Sequence, residues 1–191
     1  MSRILRHAAD KVGLALNPDG FCLLSDLLAL DSMKGVTVDM VQRVVDTDAK
    51  GRFTLKRDGD VLFIRANQGH SMKSVIAEDL LTKVTSADDF PVCIHGTTMD
   101  AWTRFIRVEG LRRMTRNEIH FAQAENAKSG VRWSSEVYVY INLALCLSDG
   151  VPFYVSDNGV LLSPGIGPEG RLPTMYFEKV VNAKTGAHLE F

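Results

Sequence analysis

Cysteine is scarce in this sequence and is not paired. Cys22, Cys93 and Cys146 stand far apart in apolar surroundings, and no Cys-x-x-Cys pattern occurs. The number is odd, so a disulfide framework is not expected, and the thiols read as buried and reduced inside an intracellular protein. No His, Cys or Asp set has metal spacing, so no metal is expected. No apolar run is long enough for a membrane helix, and no signal peptide heads the chain. Charge of one sign is also missing: 22 Lys and Arg stand against 23 Asp and Glu, a formal net charge of −1. A polyanionic partner is therefore not announced by the whole chain and must meet a local cluster of Arg, Lys and His. Gly-x-Gly-x-x-Gly, a Gly-Lys-Ser/Thr phosphate loop and a Gly-x-Ser-x-Gly elbow are all absent. A nucleotide, if used, is bound in neither the Rossmann nor the P-loop manner.

What is present suits one large domain or two small ones. The chain has 191 residues, 46% hydrophobic and 24% charged, which is enough apolar material for a core. Met1 stands directly before a first helix with Ser2 as N-cap, which points to a native N-terminal extension. In that helix Ile4, Leu5, Ala8 and Val12 share one arc, while Arg3, Arg6, His7 and Asp10 share the other. "NPDG" is a turn. "FCLLSDLLAL" reads as a strand running into a helix capped near Ser25. Thr37 opens a helix with Val38, Val41, Val44 and Val45 inward. "RFTLKRDGDVLFIR" is a hairpin turning at Asp58-Gly59, and Ser71 to Val84 is expected to be helical. "TSADDFP" is polar, ends in proline, and reads as a linker. "VCIHGT" is then a buried strand. Ala101 to Glu109 is a helix with Trp102, Phe105 and Ile106 inward, closed by Gly110. "EIHFA", "EVYVYINL", "VPFYVS", "VLLS" and "TMYFEKVV" are strands. The class is α+β, with an N-terminal winged-helix-like lobe over 1–84, a linker over 85–91 and a β-rich lobe over 92–191.

Four places could carry chemistry. In "RILRH" the helix face holds Arg3, Arg6 and His7; a guanidinium fork matches phosphate oxygens, though a solvated helix face is the plainer reading. In "IRANQGHS" a strand ends at Arg65, and Gln68, Gly69, His70 and Ser71 follow at a helix start. This is an anion site or a polar loop whose Asn67 and Gln68 satisfy backbone groups. "HGT", His95 to Thr97, ends an apolar strand where Gly96 lets a ligand approach, or makes a plain turn. His120, between Ile119 and Phe121, faces a cleft or is a satisfied core histidine. With it, in the same fourth place, goes Arg132 of "SGVRWSSEV", which precedes a strand and is a ligand contact or a solvated side chain.

Taken in order, "SRILRH", "RFTLKRDG", "IRANQGHS", "IHGTT", "GLRRMTRNEIHFA", "GVRWSSEVYVYINL", "DGVPFYVSDNGVLLSPG" and "LPTMYF" span almost the whole chain. In this ordered set the sequence resembles the NAD-dependent RNA 2′-phosphotransferase family, of KptA type. The resemblance implies an RNA-binding winged-helix lobe and a C-terminal ADP-ribosyltransferase fold that binds NAD as co-substrate. It implies removal of the internal 2′-phosphate at a tRNA splice junction. The phosphate attacks the nicotinamide ribose, nicotinamide leaves, and an RNA-phospho-ADP-ribose intermediate forms. The ribose 2″-hydroxyl then releases 2′-OH RNA and ADP-ribose 1″,2″-cyclic phosphate. It implies a catalytic set of Arg6, His7, Arg65 and Arg132, with His7 a proton donor or shuttle. His95, Gly96, Thr97, His120, Ser156, Asn158, Gly159 and Val160 map to NAD. Arg3, Gln68, His70 and Ser71 are expected at the RNA. Val160 falls where many ADP-ribosyltransferases place a glutamate, and Glu136 is expected to have an orienting role, pairing with an arginine. Two departures stand out: Glu118 replaces the first histidine of His-Ile-His-Phe-Ala, and the leader before "SRILRH" is short or absent.

The expected partners are 2′-phosphorylated tRNA and NAD, with no membrane and no metal, in a monomer of the cytoplasm or nucleus. Two alternatives remain: an ADP-ribosyltransferase acting on terminal phosphates of nucleic acids, and a non-enzymatic nucleic-acid-binding module. The complete Arg6, His7, Arg65, Arg132 set argues against the first. The polar residues retained in the second lobe argue against the other.

Overall fold

A computed structural model describes residues 1–130 and 134–191 of the chain. It is a mixed α/β structure of short helices and small antiparallel sheets, and its contacts divide into two units, Met1–Leu81 and Thr82–Phe191. The boundary precedes the expected linker, because Thr82 and Lys83 already pair with Val155 and Tyr154 of the second unit.

In the first unit, β1 (Cys22–Leu23), β2 (Phe53–Asp58) and β3 (Val61–Ala66) form one sheet in the order β1-β3-β2. The expected hairpin is found, with Asp58 opposite Val61 and Gly59 at φ 57°. A left-handed residue is what a two-residue hairpin turn needs. Leu5, Leu24, Leu27, Val41 and Ile64 are buried in the core beneath the sheet.

Several helix expectations are corrected. The first helix tightens and breaks at Ala9–Gly13, so Ala9 is buried in place of Val12, which is 41% exposed. The helix Leu24–Leu28 starts after Leu23 without a side-chain cap, and Ser25 bonds to Asp26 instead. Thr37 does cap Val38–Thr47 by accepting from the Met40 N–H, but only Val41 of its valines is fully buried, and Val38 and Val44 are exposed. The helix expected over Ser71–Val84 shrinks to Ala77–Leu80. Its upstream N–H groups are taken by other partners: Ser71 by the Arg6 carbonyl, Ile76 by that of Pro18. Tertiary bonds have displaced the i to i−4 ladder that a helix requires.

In the second unit, β4 (Thr82–Lys83), β5 (Ile94–Thr97), β6 (Leu111–Arg112), β7 (Ile119–Phe121), β8 (Val137–Ile141), β9 (Tyr154–Val155), β10 (Leu161–Ser163), β11 (Arg171–Leu172) and β12 (Phe177–Asn182) follow in chain order. They assemble as β4-β9-β10-β7, β12-β8-β5 and the pair β11-β6. Reciprocal bonds between Ile94 and Ala122 join the two larger sheets. Helical segments run from Met99 to Glu109, with Trp102 buried; Phe105, expected inward, is 49% exposed. The segment Trp102–Ile106 is π-helical, and its wider turn shifts the phase of the side chains beyond Trp102. Cys22, Cys93 and Cys146 are unpaired and buried, as expected.

Candidate functional site

Strand period explains where Arg65 points. Ile64 and Ala66 are fully buried on one face of β3, so Arg65 between them emerges on the other. Cys22 pairs with Ile64, which places Phe21 beside Arg65 on the neighbouring strand. The guanidinium lies 4.6 Å from the centre of the Phe21 ring and donates to the Asp19 carbonyl at 3.2 Å. Stacking and one backbone acceptor thus aim a long, otherwise floppy side chain.

The turn that follows is fastened at both ends. The Asn67 side chain accepts from the Thr54 hydroxyl at 2.7 Å and donates to the Gly51 carbonyl at 2.8 Å, so Asn67 is a structural residue. Gly69 has φ 85°. Ser71 then closes onto the first helix: its N–H donates to the Arg6 carbonyl at 2.9 Å, and its hydroxyl meets His7 Nδ1 at 3.0 Å. One serine therefore ties the strand carrying Arg65 to the helical turn carrying Arg6 and His7. His70, expected at the RNA surface, is inside at 1% exposure. Burial, then the charges of Arg6, His7 and Arg65, lowers its pKa to about 4. Arg3 is exposed and Gln68 half-buried. The first unit thus gathers Arg6, His7, Arg65, His70 and Ser71. Arg132 lies outside the described residues.

The second unit contains a cleft of about 790 Å³. His95, Gly96, Thr97 and His120 all line it. His95 Nδ1 meets the His120 carbonyl at 2.9 Å, across the junction of the two larger sheets, and His120 Nδ1 meets the Glu118 carbonyl at 3.1 Å. His120 is partly exposed between buried Ile119 and Phe121, which is the alternation the sequence suggested. Glu118, the departure from the family pattern, is buried in the same wall at 6% exposure.

Ser156, Asn158, Gly159 and Val160 are not among the lining residues. The Ser156 hydroxyl accepts from the Val160 N–H at 3.1 Å and meets Asn158 Oδ1 at 2.8 Å, while Ser156 and Val160 are buried. These residues build their own turn, and Gly159 receives the Gln123 amide at 2.9 Å. Glu136 orients, but through a backbone group: its carboxylate accepts from the Met99 N–H at 2.9 Å, at the start of the helical run.

Three arginines escaped a role in the sequence reading although "RRMTR" displays them. Arg112, Arg113 and Arg116 line the cleft. Arg112 pairs with Glu109 at 2.5 Å, and Arg113 reaches the carbonyls of Arg116 and Pro168 at 3.1 and 2.9 Å. Phe105 and Met114 add exposed apolar surface to the same wall. Periodicity hid Phe105, since an α-helical wheel turns it inward.

A cation cluster in one unit and a cleft of ligand size, lined by both apolar and charged residues, in the other are the two features to be explained. Among the described residues no cluster of His, Cys, Asp and Glu could hold a metal ion, and no helix is long and apolar enough to cross a membrane. The sequence model of the "RNA 2′-phosphotransferase, Tpt1 / KptA family" matches residues 1–165. A Danio rerio protein named tRNA 2′-phosphotransferase 1 is 41% identical, over 96% of this chain and 84% of its own length. The Homo sapiens protein of that name is 39% identical, over 96% of this chain and 74% of its own length. A Schizosaccharomyces pombe relative is 38% identical over 94% of this chain, which spans about half, 49%, of that longer protein.

Proposed function

The chain belongs to the RNA 2′-phosphotransferase, Tpt1 / KptA family, and on that footing we propose that it removes the internal 2′-phosphate left at a tRNA splice junction, with NAD as co-substrate. The observation that carries the proposal is that Ser71, six residues past Arg65, bonds to both Arg6 and His7, while the Asp19 carbonyl and the Phe21 ring hold Arg65. We read the first unit as the winged-helix-like RNA lobe, because the helix Val38–Thr47 is followed by a hairpin. We read the second as the ADP-ribosyltransferase-like lobe. The expected catalytic set is Arg6, His7 and Arg65, joined by Arg132 from the family motif.

The residues suit the chemistry. A phosphate monoester is already anionic near neutral pH, so no general base is needed to make it a nucleophile. It needs to be held. Arg6 and Arg65 offer planar donor forks that bind phosphate oxygens and stabilise charge as phosphorus is transferred. His7, oriented by Ser71 through Nδ1, is the proton donor to the departing RNA 2′-oxygen. Arg3, Gln68 and Ser71 remain the candidates for contact with RNA around the phosphate.

The cleft of the second unit fits a dinucleotide in size and in donors. His95, Gly96, Thr97 and His120 would hold it, beside Arg112, Arg113 and Arg116. When bound, NAD supplies an electrophilic ribose carbon with nicotinamide as leaving group. Gly96 lets the ligand approach the β5 backbone, and the bond from His95 to the His120 carbonyl holds that wall in shape.

The test is incubation with NAD and an RNA bearing one internal 2′-phosphate. Dephosphorylated RNA, free nicotinamide and ADP-ribose 1″,2″-cyclic phosphate are expected. Stable ADP-ribosylated RNA, or no consumption of NAD, would overturn the proposal. Arg65→Ala should lower turnover by about a hundredfold or more, the scale of losing one preorganised donor, with the fold retained.

A further inference from the structure

We propose that His70 is a positioning residue: a buried imidazole that holds Arg6, His7 and Arg65 in the array that receives a phosphate monoester. The inference rests on the reading of that array as the phosphate site. His70 stands where three segments of the first unit meet. It immediately precedes Ser71, whose N–H and hydroxyl bond to Arg6 and His7. On its other side is the turn over residues 17–20. A side chain placed on Gly20 would lie 3.6 Å from His70 Nε2 and 3.8 Å from Cε1, so the ring packs against that backbone. Asp19, next in the turn, gives its carbonyl to Arg65, while its carboxylate accepts from the Phe21 N–H at 3.2 Å. Displacing the ring would therefore disturb the supports of all three cations.

Packing alone does not explain a histidine here. At 1% exposure the ring does not meet a ligand from solvent. Among the described residues neither Nδ1 nor Nε2 has a hydrogen-bond partner. Burying polar atoms in that way opposes folding, and an apolar ring of similar size would pack without the penalty. The polarity has a use beside cations. Burial and the charges of Arg6, His7 and Arg65 all favour the neutral ring, with a pKa of about 4. A neutral imidazole keeps one acceptor lone pair among guanidinium and imidazole groups and adds no further positive charge. It can steady like-charged side chains in the absence of the substrate anion, which phenyl cannot do and a cation would oppose.

The experiment compares the full chain with His70→Phe and His70→Gln. It reads thermal stability, binding of inorganic phosphate from shifts of the His7 ring resonances, and kcat and KM for the 2′-phosphorylated RNA at saturating NAD. His70→Phe should melt at or above the wild-type temperature, yet lose about tenfold or more in phosphate affinity and in kcat, with KM for NAD unchanged. His70→Gln, neutral and polar, should recover both to within about threefold. The wild-type His70 ring should not titrate across neutral pH. Full phosphate affinity and turnover in His70→Phe would overturn the proposal, as would titration of His70 near 6.5. If His70→Phe does not fold, His70→Gln and the titration decide. If the wild type does not turn over the RNA, the tRNA reading fails, and the inorganic phosphate comparison still decides the role of His70.

Discussion

Ser71 and His70 are adjacent, yet they act by different physics. Ser71 works through geometry: its hydroxyl sets the rotation of the His7 ring, and its N–H fixes the backbone of Arg6. Ser71→Ala keeps the N–H bond and loses the hydroxyl. We expect a stability loss of about 1 kcal/mol and a fall in kcat of about tenfold with KM for NAD unchanged, read by thermal melting and steady-state kinetics. His70 works through electrostatics, and that gives a sign. Its folded pKa, about 4, lies below the ordinary 6.5. Above pH 6.5 the ring is neutral folded or unfolded and contributes no pH dependence. As pH falls below 6.5 the unfolded chain takes up a proton that the folded one refuses, so stability declines until about pH 4. The decline should be on the order of 3 kcal/mol, and it should be absent from a melting series of His70→Phe. The type of each residue was legible in "IRANQGHS". Which of them faces inward was not, because no periodicity governs a turn.

At the scale of elements, the strands were the better read. The hairpin turning at Asp58-Gly59 and the alternation of Ile119, His120 and Phe121 follow local pattern, and both are found. Helices fared worse where partners distant in sequence intervene: Ser71 and Ile76 give their N–H groups to Arg6 and Pro18, and no local signal announces that. The arginines of the cleft were visible but had no neighbour in sequence to give them meaning. Gly110 is a case where sequence reading supplied the stop and structure supplied the reason. It closes the helical run with φ 82°, and an added Cβ would lie 2.2 Å from the Leu172 carbonyl. The helix end and the pair β11-β6 are therefore pressed together at backbone distance. Gly110→Ala must strain φ and push β11 away, which we expect to cost about 3 kcal/mol or more. The site test is hydrogen exchange: amides of β6 and β11 should lose protection before those of β2 and β3. Glu136→Ala removes the carboxylate at the Met99 N–H and should cost about 1 kcal/mol, the usual value of a helix cap.

At the scale of the molecule, the even charge balance limits how RNA is bound. The first unit carries eleven Lys and Arg and eleven Asp and Glu, so its own sum is zero. A protein that holds RNA by a broad basic surface shows an affinity that collapses with salt, because each neutralised phosphate releases counterions. The cations that this unit is proposed to offer to the RNA are few: Arg6, His7 and Arg65 at the phosphate, and the exposed Arg3. The slope of log K against log salt should then be shallow, about −2 for roughly three phosphate contacts on single-stranded RNA. Removing the 2′-phosphate from the same RNA should weaken binding more than raising the salt does, since Arg6 and Arg65 are organised for that one group. Arg3→Ala, on an exposed side chain, should flatten the slope by about one contact and leave kcat unchanged. Arg65→Ala should instead abolish the preference for 2′-phosphorylated over unphosphorylated RNA. Titrations of both RNAs at several salt concentrations measure all of these quantities. A slope as steep as that of a basic surface protein would mean that affinity comes from the backbone at large. An array of three fastened cations would then not be the source of recognition. A shallow slope with a large 2′-phosphate effect is what local preorganisation in a neutral chain requires.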